Sequence, residues 1–362
     1  MRVLAIVPSL YDTSPGQRFR IEQWEPLLAD EGIEITYSPF ETPALRQVLH
    51  GGGNVFAKAA GIMSGMSRRG SGLDSVSEYD SVYLFREAAV LGPPWFERKI
   101  ARSGVPMVFD FDDAVFVSYK SPANGYLSYL KFPGKTGEII GHCAHVMAGN
   151  EYLAKYARRY NQNVTIIPTT IDTAKYTVEE RSANNIPVIG WSGSFSTVQH
   201  LDTLREVLSE LARTENFRLR VIGTPEYDLP GVNVDAIQWR SETEIADLRP
   251  MDVGIMPLPD EDWSRGKCGL KALQYMALGV PTICSPVGVN STIIENGRNG
   301  YIADTPEEWL EKLRLLLHSA ELRHTIGMAG RRTVEEEYSA RVVAPRVAEV
   351  FKTAAATRGR SN

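Results

Sequence analysis

Residues 265–290 have the sequence RGKCGLKALQYMALGVPTICSPVGVN. An apolar segment of helical period, from Leu270 to Leu278, leads through the turn Gly-Val-Pro into the short apolar run PTICSP. A helix followed directly by an apolar run of this length is the repeating unit of a parallel α/β sheet. The stretch therefore predicts an α/β fold in which the helix covers the sheet that contains the following strand.

The same alternation extends over the whole chain, because short runs rich in Val and Ile are separated by longer stretches of helical period. In the first half the candidate strands are VLAIVPS, IEITYS, SVYLFR, PMVFDF, HVMAG and VTIIPT. In the second half they are PVIGWSG, RLRVIG, VNVDAI, DVGIMPL and PTICSP. Helices are predicted over residues 17–30, 93–102, 151–160, 197–213, 243–248 and 270–278, and again from residue 306 with a break near 327–330. The pattern predicts two doubly wound, Rossmann-like units in series.

The domain boundary is predicted in TTIDTAKYTVEERSANNIP, a polar stretch that lacks apolar periodicity. We expect a first domain over residues 1–174, a linker over 175–186 and a second domain over 187–338. Residues 339–362 are expected to form a C-terminal helix that returns to the first domain and ends in a frayed tail. The glycine-rich segment 50–72 is interpreted as a mobile insertion in the first domain.

Composition excludes several classes of protein. The 362 residues carry a formal net charge of −5, whereas a protein that binds nucleic acid generally needs a basic domain or stripe. Three scattered cysteines (Cys143, Cys268 and Cys284) are too few for a disulfide framework and predict a cytoplasmic protein. No segment approaches the roughly 20 apolar residues that cross a bilayer, and the N-terminal apolar run lacks a cleavage site. Peripheral contact with the inner face of a membrane and the oligomeric state stay open.

Basic and amide side chains are concentrated at the start of the predicted helix from Leu270. On a helical wheel Lys271 and Tyr275 lie away from the apolar arc, Gln274 lies at its border, and Lys267 falls between Gln274 and Lys271. Cations are unfavourable at a helix N-terminus because of the helix macrodipole. The pattern therefore predicts a bound anion, and the alternative is a solvated lysine face.

The second domain opens with PVIGWSGSFSTVQHLDTL, a strand followed by small and hydroxyl-bearing residues and then a helix. Gly193 lets a phosphate approach the backbone, and the hydroxyls of Ser194, Ser196 and Thr197 can donate to phosphate oxygens. The spacing fits neither the dinucleotide fingerprint nor the P-loop. Two interpretations stay open here, a phosphate site and a Ser/Thr helix cap with a glycine turn.

The segment LKALQYMALGVPTICSPVGVNSTIIENGRNGYIADTPEEWLEKLRLLL resembles the nucleotide-sugar site of GT-B glycosyltransferases, specifically of the retaining family 4 type. The resemblance implies two Rossmann-like domains that face a cleft, with a nucleoside-diphosphate sugar as co-substrate and no obligatory cofactor or metal. It implies transfer of the sugar, with retention, to a glycan, lipid-linked or small-molecule acceptor. Two alternatives are a GT-B sugar-nucleotide epimerase and a catalytically inactive protein that binds nucleotide sugars as a scaffold.

The sequence departs from the family at two acidic positions. Matching LQYMA to the family's Leu-Glu-Ala-Met-Ala puts Gln274 where a glutamate reaches the donor ribose, and Gly266 where a glutamate reaches the donor sugar. The amide of Gln274 can still bind a ribose hydroxyl, and sugar recognition is left to the backbone near Gly269 or to an acid of PDEDW. Arg265, Lys267 and Lys271 take the place of the family's Arg and Lys, with the two lysines as catalytic cations.

The resemblance also implies the remaining donor contacts. Gly223 lies in the loop after RLRVIG and is expected to contact the base through its backbone, and Trp239 is expected to supply an apolar wall. Cys268 and Leu270 flank Gly269 at the start of the donor helix and are included with it in the donor site.

The first domain offers an acidic motif, FDFDDAVF, directly after a predicted strand. Strand alternation is expected to place Asp110 and Asp112 on one face and Asp113 on the other. Because GT-B enzymes often present an acceptor-side His or acid at this position, Asp112 or Asp113 is expected to contact the acceptor hydroxyl or the donor sugar. A structural Asp cap and a metal site are the alternatives.

The stretch YDTSPGQRFRIEQW follows the first strand and holds a Ser-Pro-Gly turn and two arginines. In the GT-B fold a glycine loop at this point faces the cleft. Gly16, Arg18 and Arg20 are therefore expected on the acceptor side, near the diphosphate or an acidic acceptor. The alternative is that Arg18 and Arg20 flank the start of a helix.

Overall fold

The computed structural model describes residues 1–50, 55–89, 91–118, 132–179 and 186–358. The chain divides into two compact units, one made of Met1–Pro168 with Val343–Asn362 and the other of Thr169–Val342. Each unit is built on a six-stranded sheet. All strand pairs are parallel, and helices connect the strands. The predicted fold of two doubly wound α/β units is confirmed.

The strands of the first unit are short apolar runs, namely β1 (Arg2–Val7), β2 (Glu34–Pro39), β3 (Ser81–Phe85), β4 (Met107–Phe111), β5 (His145–Ala148) and β6 (Val164–Ile166). Their order in the sheet is β2-β1-β3-β4-β5-β6. All residues of β3 and β4 are buried, as expected of central strands covered on both faces. The strand order reverses between β1 and β3, and ligands of such sheets bind beyond the carboxyl ends of the strands at this reversal.

The helices that cover the first sheet are α1 (Pro15–Gln17), α2 (Gln23–Asp30), α3 (Pro43–His50), α4 (Val55–Gly72), α5 (Trp95–Arg102), α6 (Lys135–Gly141) and α7 (Glu151–Ala157), with a π-helical turn over Arg18–Glu22 and a 3₁₀ turn over Val76–Glu78. The π-helical turn joins α1 to α2, and Arg20 within it leaves helical geometry at φ −114° and ψ −108°. The kink at Arg20 therefore separates α1 from α2.

The glycine-rich segment predicted as a mobile insertion is instead largely the helix α4, apart from residues 51–54, which lie outside the described part of the chain. Its glycines serve close packing. A β-carbon on Gly61 would lie 2.7 Å from Leu45 Cδ1, and one on Gly65 would lie 2.9 Å from the ring of Phe40. The buried guanidinium of Arg69 donates to the backbone carbonyls of Val7 (3.0 Å), Ser38 and Ala88.

The strands of the second unit are β7 (Val188–Ser192), β8 (Arg218–Ile222), β9 (Asn233–Ile237), β10 (Val253–Met256), β11 (Thr282–Cys284) and β12 (Tyr301–Ile302). They are ordered β12-β11-β10-β7-β8-β9, so this sheet reverses between β7 and β10. Every apolar run predicted as a strand contains one. β12 was not predicted, because a two-residue strand carries no periodicity.

The helices of the second unit and the C-terminus are α8 (Val198–Asp202), α9 (Arg205–Thr214), α10 (Glu244–Leu248), α11 (Asp262–Arg265), α12 (Leu270–Ala277), α13 (Asn290–Ile293), α14 (Pro306–His318), α15 (Ala320–Thr333) and α16 (Ala340–Ala355), with a π-helical turn over Val334–Tyr338. The later part of α16 packs on the first unit, as expected. The ring of Phe351 lies 6.1 Å from that of Tyr83, and Lys352 pairs with Glu31 at 2.8 Å. None of the helices in the described part of the chain has the length and hydrophobicity needed to cross a bilayer.

The predicted helix break near Gly327 and Gly330 is wrong. α15 runs through both glycines, and the preceding break is at Ser319, whose side chain caps α15. A β-carbon on Gly327 would lie 2.1 Å from the carbonyl oxygen of Gly279, and one on Gly330 would lie 3.0 Å from that of Asn299. These glycines therefore permit close helix packing and do not end the helix.

The first unit ends at Pro168, six residues before the predicted boundary at residue 174. The following segment, which starts at Thr169, belongs to the second unit, and its backbone groups bind other residues of that unit. Ile171 forms a parallel bridge with Ser339. The buried Arg331 donates to the carbonyl oxygens of Thr173 (3.0 Å) and Tyr176. Residues 180–185 of the predicted linker lie outside the described part of the chain.

Candidate functional site

Two glycines bring the loops after β7 and β8 into contact at the carboxyl edge of the second sheet. The N–H of Gly193 donates to the carbonyl of Ile222 at 2.9 Å, and the N–H of Gly223 donates to that of Ile237 at 2.8 Å. A β-carbon on Gly223 would lie 2.0 Å from the carbonyl oxygen of Gly193, and its φ is +104°. Only glycine fits at position 223 on both counts.

The predicted hydroxyl-rich loop follows Gly193 and is bonded within itself. The N–H of Ser194 donates to Thr197 Oγ1 at 2.9 Å, and the hydroxyls of Ser194 and Ser196 are 2.9 Å apart. The N–H of Thr197 donates to the carbonyl of Ser194 at 2.8 Å, and the Thr197 side chain does not cap α8. The loop thus forms a hydroxyl-stabilised turn, and its role as a phosphate site stays a prediction.

The two lysines predicted to bind phosphate lie beside aromatic rings at the start of α12. Lys271 Nζ is 4.7 Å from the ring centroid of Trp191, and Lys267 Nζ is 5.1 Å from that of Trp263. Trp191 belongs to β7, so Lys271 lies next to the strand that leads into the Gly193 loop. α12 begins after Gly269, whose φ is +72° and where a β-carbon would lie 2.3 Å from Ile293 Cδ1. Both lysines are thereby placed near the strand-order reversal of this sheet.

A histidine that the sequence did not single out belongs to the same group. His200 is 2% exposed, and neither ring nitrogen has a hydrogen-bond partner in the described structure. Burial, together with the positive charges of Lys271 and Lys267, lowers the pKa of His200 to about 4. We call Trp191, His200, Lys267 and Lys271 the donor cluster. A single histidine after a Ser/Thr-rich loop carries no sequence signal that would have identified it.

The side chain of Gln274 is engaged inside the second unit. It is 3% exposed, and its amide donates to the hydroxyl of Tyr176 at 3.0 Å. Tyr176 donates to the buried Glu244 at 2.7 Å, and the indole N–H of Trp239 donates to the same carboxylate at 2.9 Å. The ribose contact of Gln274 and the base contact of Trp239 stay predictions, and each requires its side chain to share or leave this network.

Tyr275 was expected away from the apolar face of α12, and that expectation is wrong. Its ring is completely buried, and its hydroxyl accepts a hydrogen bond from the N–H of Ser192 at 2.8 Å. A β-carbon on Gly254 would lie 2.4 Å from the same ring. The glycine at position 254 of β10 leaves room for the Tyr275 ring. α12 is therefore buried on most sides.

The residues just before α12 form a separate surface pair. Arg265 Nε lies 2.7 Å from Asp260, and its Nη1 lies 3.3 Å from Asp262. Arg265 was predicted as a donor-binding cation, and an acid of PDEDW was predicted as the alternative to the backbone near Gly269 for sugar recognition. In this structure the cation and these acids bind each other. Gly266 and Cys268 are buried, Leu270 is half-buried, and the thiol of Cys268 lies 3.6 Å from the carbonyl oxygen of Gly266.

In the first unit an arginine absent from the sequence-based site holds both predicted acids. Arg86 directly follows β3 with φ +62°. It donates to Asp112 through Nε (2.8 Å) and Nη2 (2.6 Å) and to Asp113 through Nη2 (2.7 Å). A β-carbon on Gly16 would lie 3.0 Å from Arg86 Nη2. We call Gly16, Arg86, Asp112 and Asp113 the rim cluster, and it lies where the strand order reverses in the first sheet.

The expected alternation of the aspartates does not hold, because β4 ends at Phe111 and Asp112 and Asp113 both turn toward Arg86. Asp110, the last aspartate within the strand, is instead buried. Burial raises the pKa of Asp112, and the nearby Arg86 opposes that rise. Among the described residues, no group of three His, Cys, Asp or Glu side chains is arranged to hold a metal ion.

Arg20, expected on the acceptor side, does not reach the surface. It is completely buried, and its guanidinium binds both carboxylate oxygens of Asp110 and the carbonyl of Ile167 (2.6 Å). Tyr83 donates to the same carboxylate at 2.6 Å. A direct contact between Arg20 and an acceptor is therefore corrected to a structural ion pair. Arg18 is partly exposed and pairs with Asp12 at 2.6 Å, so its acceptor-side role stays a prediction.

The fold of this chain is that of GT-B glycosyltransferases. Sucrose-phosphate synthase from Thermosynechococcus elongatus superposes with a TM-score of 0.72 at 13% identity, covering 99% of this chain and 100% of that one. HepE from Anabaena, solved with UDP and glucose, superposes with a TM-score of 0.67 at 13% identity, covering 98% and 100%. WaaG, a glycosyltransferase involved in lipopolysaccharide biosynthesis, gives a TM-score of 0.63 at 14% identity, covering 97% and 99%.

Sequence comparison identifies the domain within this fold. Residues 186–319 match the family Glycosyl transferases group 1. Over 82 residues the chain is 36% identical to spore coat protein SA of Bacillus subtilis (strain 168), a match that covers 22% of each protein. The region that matches the group 1 glycosyl transferases lies within the second unit, Thr169–Val342.

Proposed function

We propose that this protein transfers a sugar from a nucleoside-diphosphate sugar to a hydroxyl of a glycan, lipid-linked or small-molecule acceptor. The observation that carries the proposal is the position of the donor cluster. Lys267 and Lys271 lie at the N-terminus of α12 inside the group 1 domain, next to β7 and its glycine loop. Nucleotides bind α/β sheets of this kind at the strand-order reversal.

The lysines have a clear use in such a reaction. Cleavage of the bond between sugar C1 and the diphosphate leaves growing negative charge on the departing phosphate. Cations and a helix N-terminus directed at that charge stabilise the transition state more than the ground state. α12 supplies the helix dipole, and Lys267 and Lys271 supply the charge.

Retention and independence of metal ions are the finer parts of the proposal. Retention rests on the resemblance of residues 270–317 to the retaining family 4 type. Metal independence rests on the two lysines, because two positive charges can neutralise a diphosphate where other enzymes use a divalent cation. We also propose that the protein works in the cytoplasm, which agrees with its three buried, unpaired cysteines.

The rim cluster is the proposed acceptor-side group. Asp112 and Asp113 are held by Arg86 at the carboxyl edge of the first sheet, where ligands of this fold bind. A carboxylate whose pKa is raised by burial is suited to accept a hydrogen bond, and finally a proton, from an attacking hydroxyl. Gly16 keeps the neighbouring backbone close to this group.

A second candidate function is binding of nucleotide sugars without turnover. It is favoured by Gly266 and Gln274, which stand where the resembled enzymes carry two glutamates. Gln274 is in addition hydrogen-bonded to Tyr176 within the unit. A protein of this kind would retain the lysines and bind the diphosphate but leave the sugar in place.

The two candidates are separated by one set of incubations. The purified chain is mixed with UDP-, GDP- and dTDP-sugars, with and without a glycoside acceptor and with and without EDTA, and the anomeric protons are followed by NMR. Release of nucleoside diphosphate with a product of unchanged anomeric configuration supports the proposed transferase. Binding in calorimetry without release supports the non-catalytic candidate, isomerisation of the donor indicates an epimerase, and absence of binding contradicts all three.

A further inference from the structure

His200 is a buried polar group with no hydrogen-bond partner in the described structure. It lies on α8, after the hydroxyl-rich loop that follows β7, and only 2% of its surface is exposed to solvent. Both ring nitrogens are shielded from water and unpaired. A buried donor or acceptor without a partner costs about 1–3 kcal/mol, so an unsatisfied imidazole needs a physical explanation.

The surroundings of His200 keep it neutral. The charged groups that act on the imidazole from the adjoining elements are Lys271 on α12 and Lys267 just before it. On its own helix Asp202 is paired with Arg205 at 3.2 Å. Trp191, over whose ring Lys271 lies, also carries an indole N–H without a partner. The donor cluster thus combines two cations with two buried side chains, those of Trp191 and His200, whose ring nitrogens have no hydrogen-bond partner in the described structure.

We propose that His200 is a third binding group for the donor diphosphate and takes up a proton from solvent when the nucleotide sugar binds. The inference rests on the proposed function, because it assigns a role within the same donor site. Two negative charges on the diphosphate offset the charges of Lys267 and Lys271. Electrostatic repulsion between these lysines and a protonated imidazole is then removed, and a phosphate oxygen supplies the acceptor that the ring lacks.

The proton taken up has a mechanistic consequence. An imidazolium beside the leaving phosphate adds a third positive charge where negative charge develops, without breaking or forming any bond in the donor itself. The sequence after β7 contains neither an arginine nor a lysine from Gly193 to Gln199. His200 would thus supply the cation that is missing from this loop, and it would do so only while a donor is bound.

The test is calorimetry of UDP-glucose binding at pH 5 in two buffers with different heats of ionisation. UDP-glucose is chosen because its diphosphate, unlike that of UDP, does not titrate in this range. With a pKa of about 4 in the unbound protein, a rise of one unit on binding corresponds to uptake of about 0.4 proton. We expect His200→Gln to bind UDP-glucose without this uptake. His145→Gln is the matched control, since His145 is a half-buried histidine in the first unit, hydrogen-bonded to Thr165, and its loss should leave the uptake unchanged.

A second measurement does not depend on the variant folding. NMR titration of the imidazole C2 protons in the wild-type chain should show one histidine whose pKa rises by about one unit or more when UDP-glucose is added, a tenfold change in proton affinity. Binding with no uptake and no shifted histidine overturns the inference and leaves the proposed function intact. Uptake that persists in His200→Gln also overturns it. If UDP-glucose, GDP-mannose and dTDP-glucose all fail to bind, the proposed function fails and the inference fails with it.

Discussion

Replacement of Lys271 by alanine tests the donor site most directly. Lys271 lies at the first turn of α12 with its ammonium 4.7 Å from the ring centroid of the completely buried Trp191. Removal of the side chain takes away one proposed contact to the diphosphate and one cation–π contact within the unit. The two losses appear in different measurements, because the first affects nucleotide binding and the second affects stability without nucleotide.

The expected magnitudes differ accordingly. A charge-assisted hydrogen bond contributes about 1.5–3 kcal/mol, so the Kd for UDP-glucose should rise about 10- to 150-fold in Lys271→Ala. Loss of the contact with Trp191 should reduce the free energy of unfolding by about 0.5–2 kcal/mol. Lys271→Met keeps most of the aliphatic stem on the ring and removes only the charge. Its Kd should rise as far as that of Lys271→Ala, while its stability should fall less.

The matched control is Lys312→Ala. Lys312 lies on α14 of the same unit with its ammonium 5.7 Å from the ring of Tyr301, so the control also removes a lysine from an aromatic ring. Calorimetry gives Kd, and urea unfolding gives stability. An unchanged Kd in Lys271→Ala, or an equal rise of Kd in Lys312→Ala, would refute the diphosphate role of Lys271.

Three further predictions concern other parts of the molecule. Asp112→Asn should slow sugar transfer at least about tenfold, through loss of a charge-assisted contact, while calorimetry shows an unchanged Kd for the nucleotide; a weakened Kd would argue against an acceptor-side role. Asp110→Asn should reduce the free energy of unfolding by about 3–5 kcal/mol in urea, because it leaves Arg20 charged and buried without its carboxylate; a loss below 1 kcal/mol would contradict this. Without nucleotide, the unfolded chain binds a proton at His200 below the ordinary pKa of 6.5, whereas the folded chain does so only near 4. Stability should therefore fall as the pH drops from 6.5 toward 4, and thermal unfolding should show a shallower fall in His200→Gln.

The fold could be predicted from sequence because the strands of both sheets are buried on two faces. Such strands appear as continuous apolar runs, and β3 and β7 are examples in which every residue is buried. α4 could not be predicted in the same way. Its glycines at positions 61 and 65 suggest a flexible segment, and only the positions of Leu45 and Phe40 in the folded unit show that they allow close packing.

The candidate site could be predicted only where its residues share a short segment. Lys267 and Lys271 are four residues apart at the start of α12, so their short separation in sequence keeps them in one region of the unit. Arg86 lies 26 residues before Asp112 and meets it because β3 and β4 are neighbours in the sheet. His200 and Lys271 lie on different helices, α8 and α12, and the charge of Lys271 acts on His200 only in the folded unit, so no local pattern encodes their proximity. Arg20 was misplaced because a buried ion pair and an exposed cation look the same in sequence.

The close approach of the backbones at Gly193 and Gly223 limits which residues of the proposed donor site can be redesigned. A β-carbon at position 223 would lie only 2.0 Å from the carbonyl oxygen of residue 193. Substitutions of Gly223 are therefore expected to disrupt the carboxyl edge of this sheet. Ser194 and Ser196 lie on the same loop with exposed or half-exposed side chains. A library that aims to change the proposed nucleotide specificity should therefore vary these hydroxyl positions and keep the two glycines fixed.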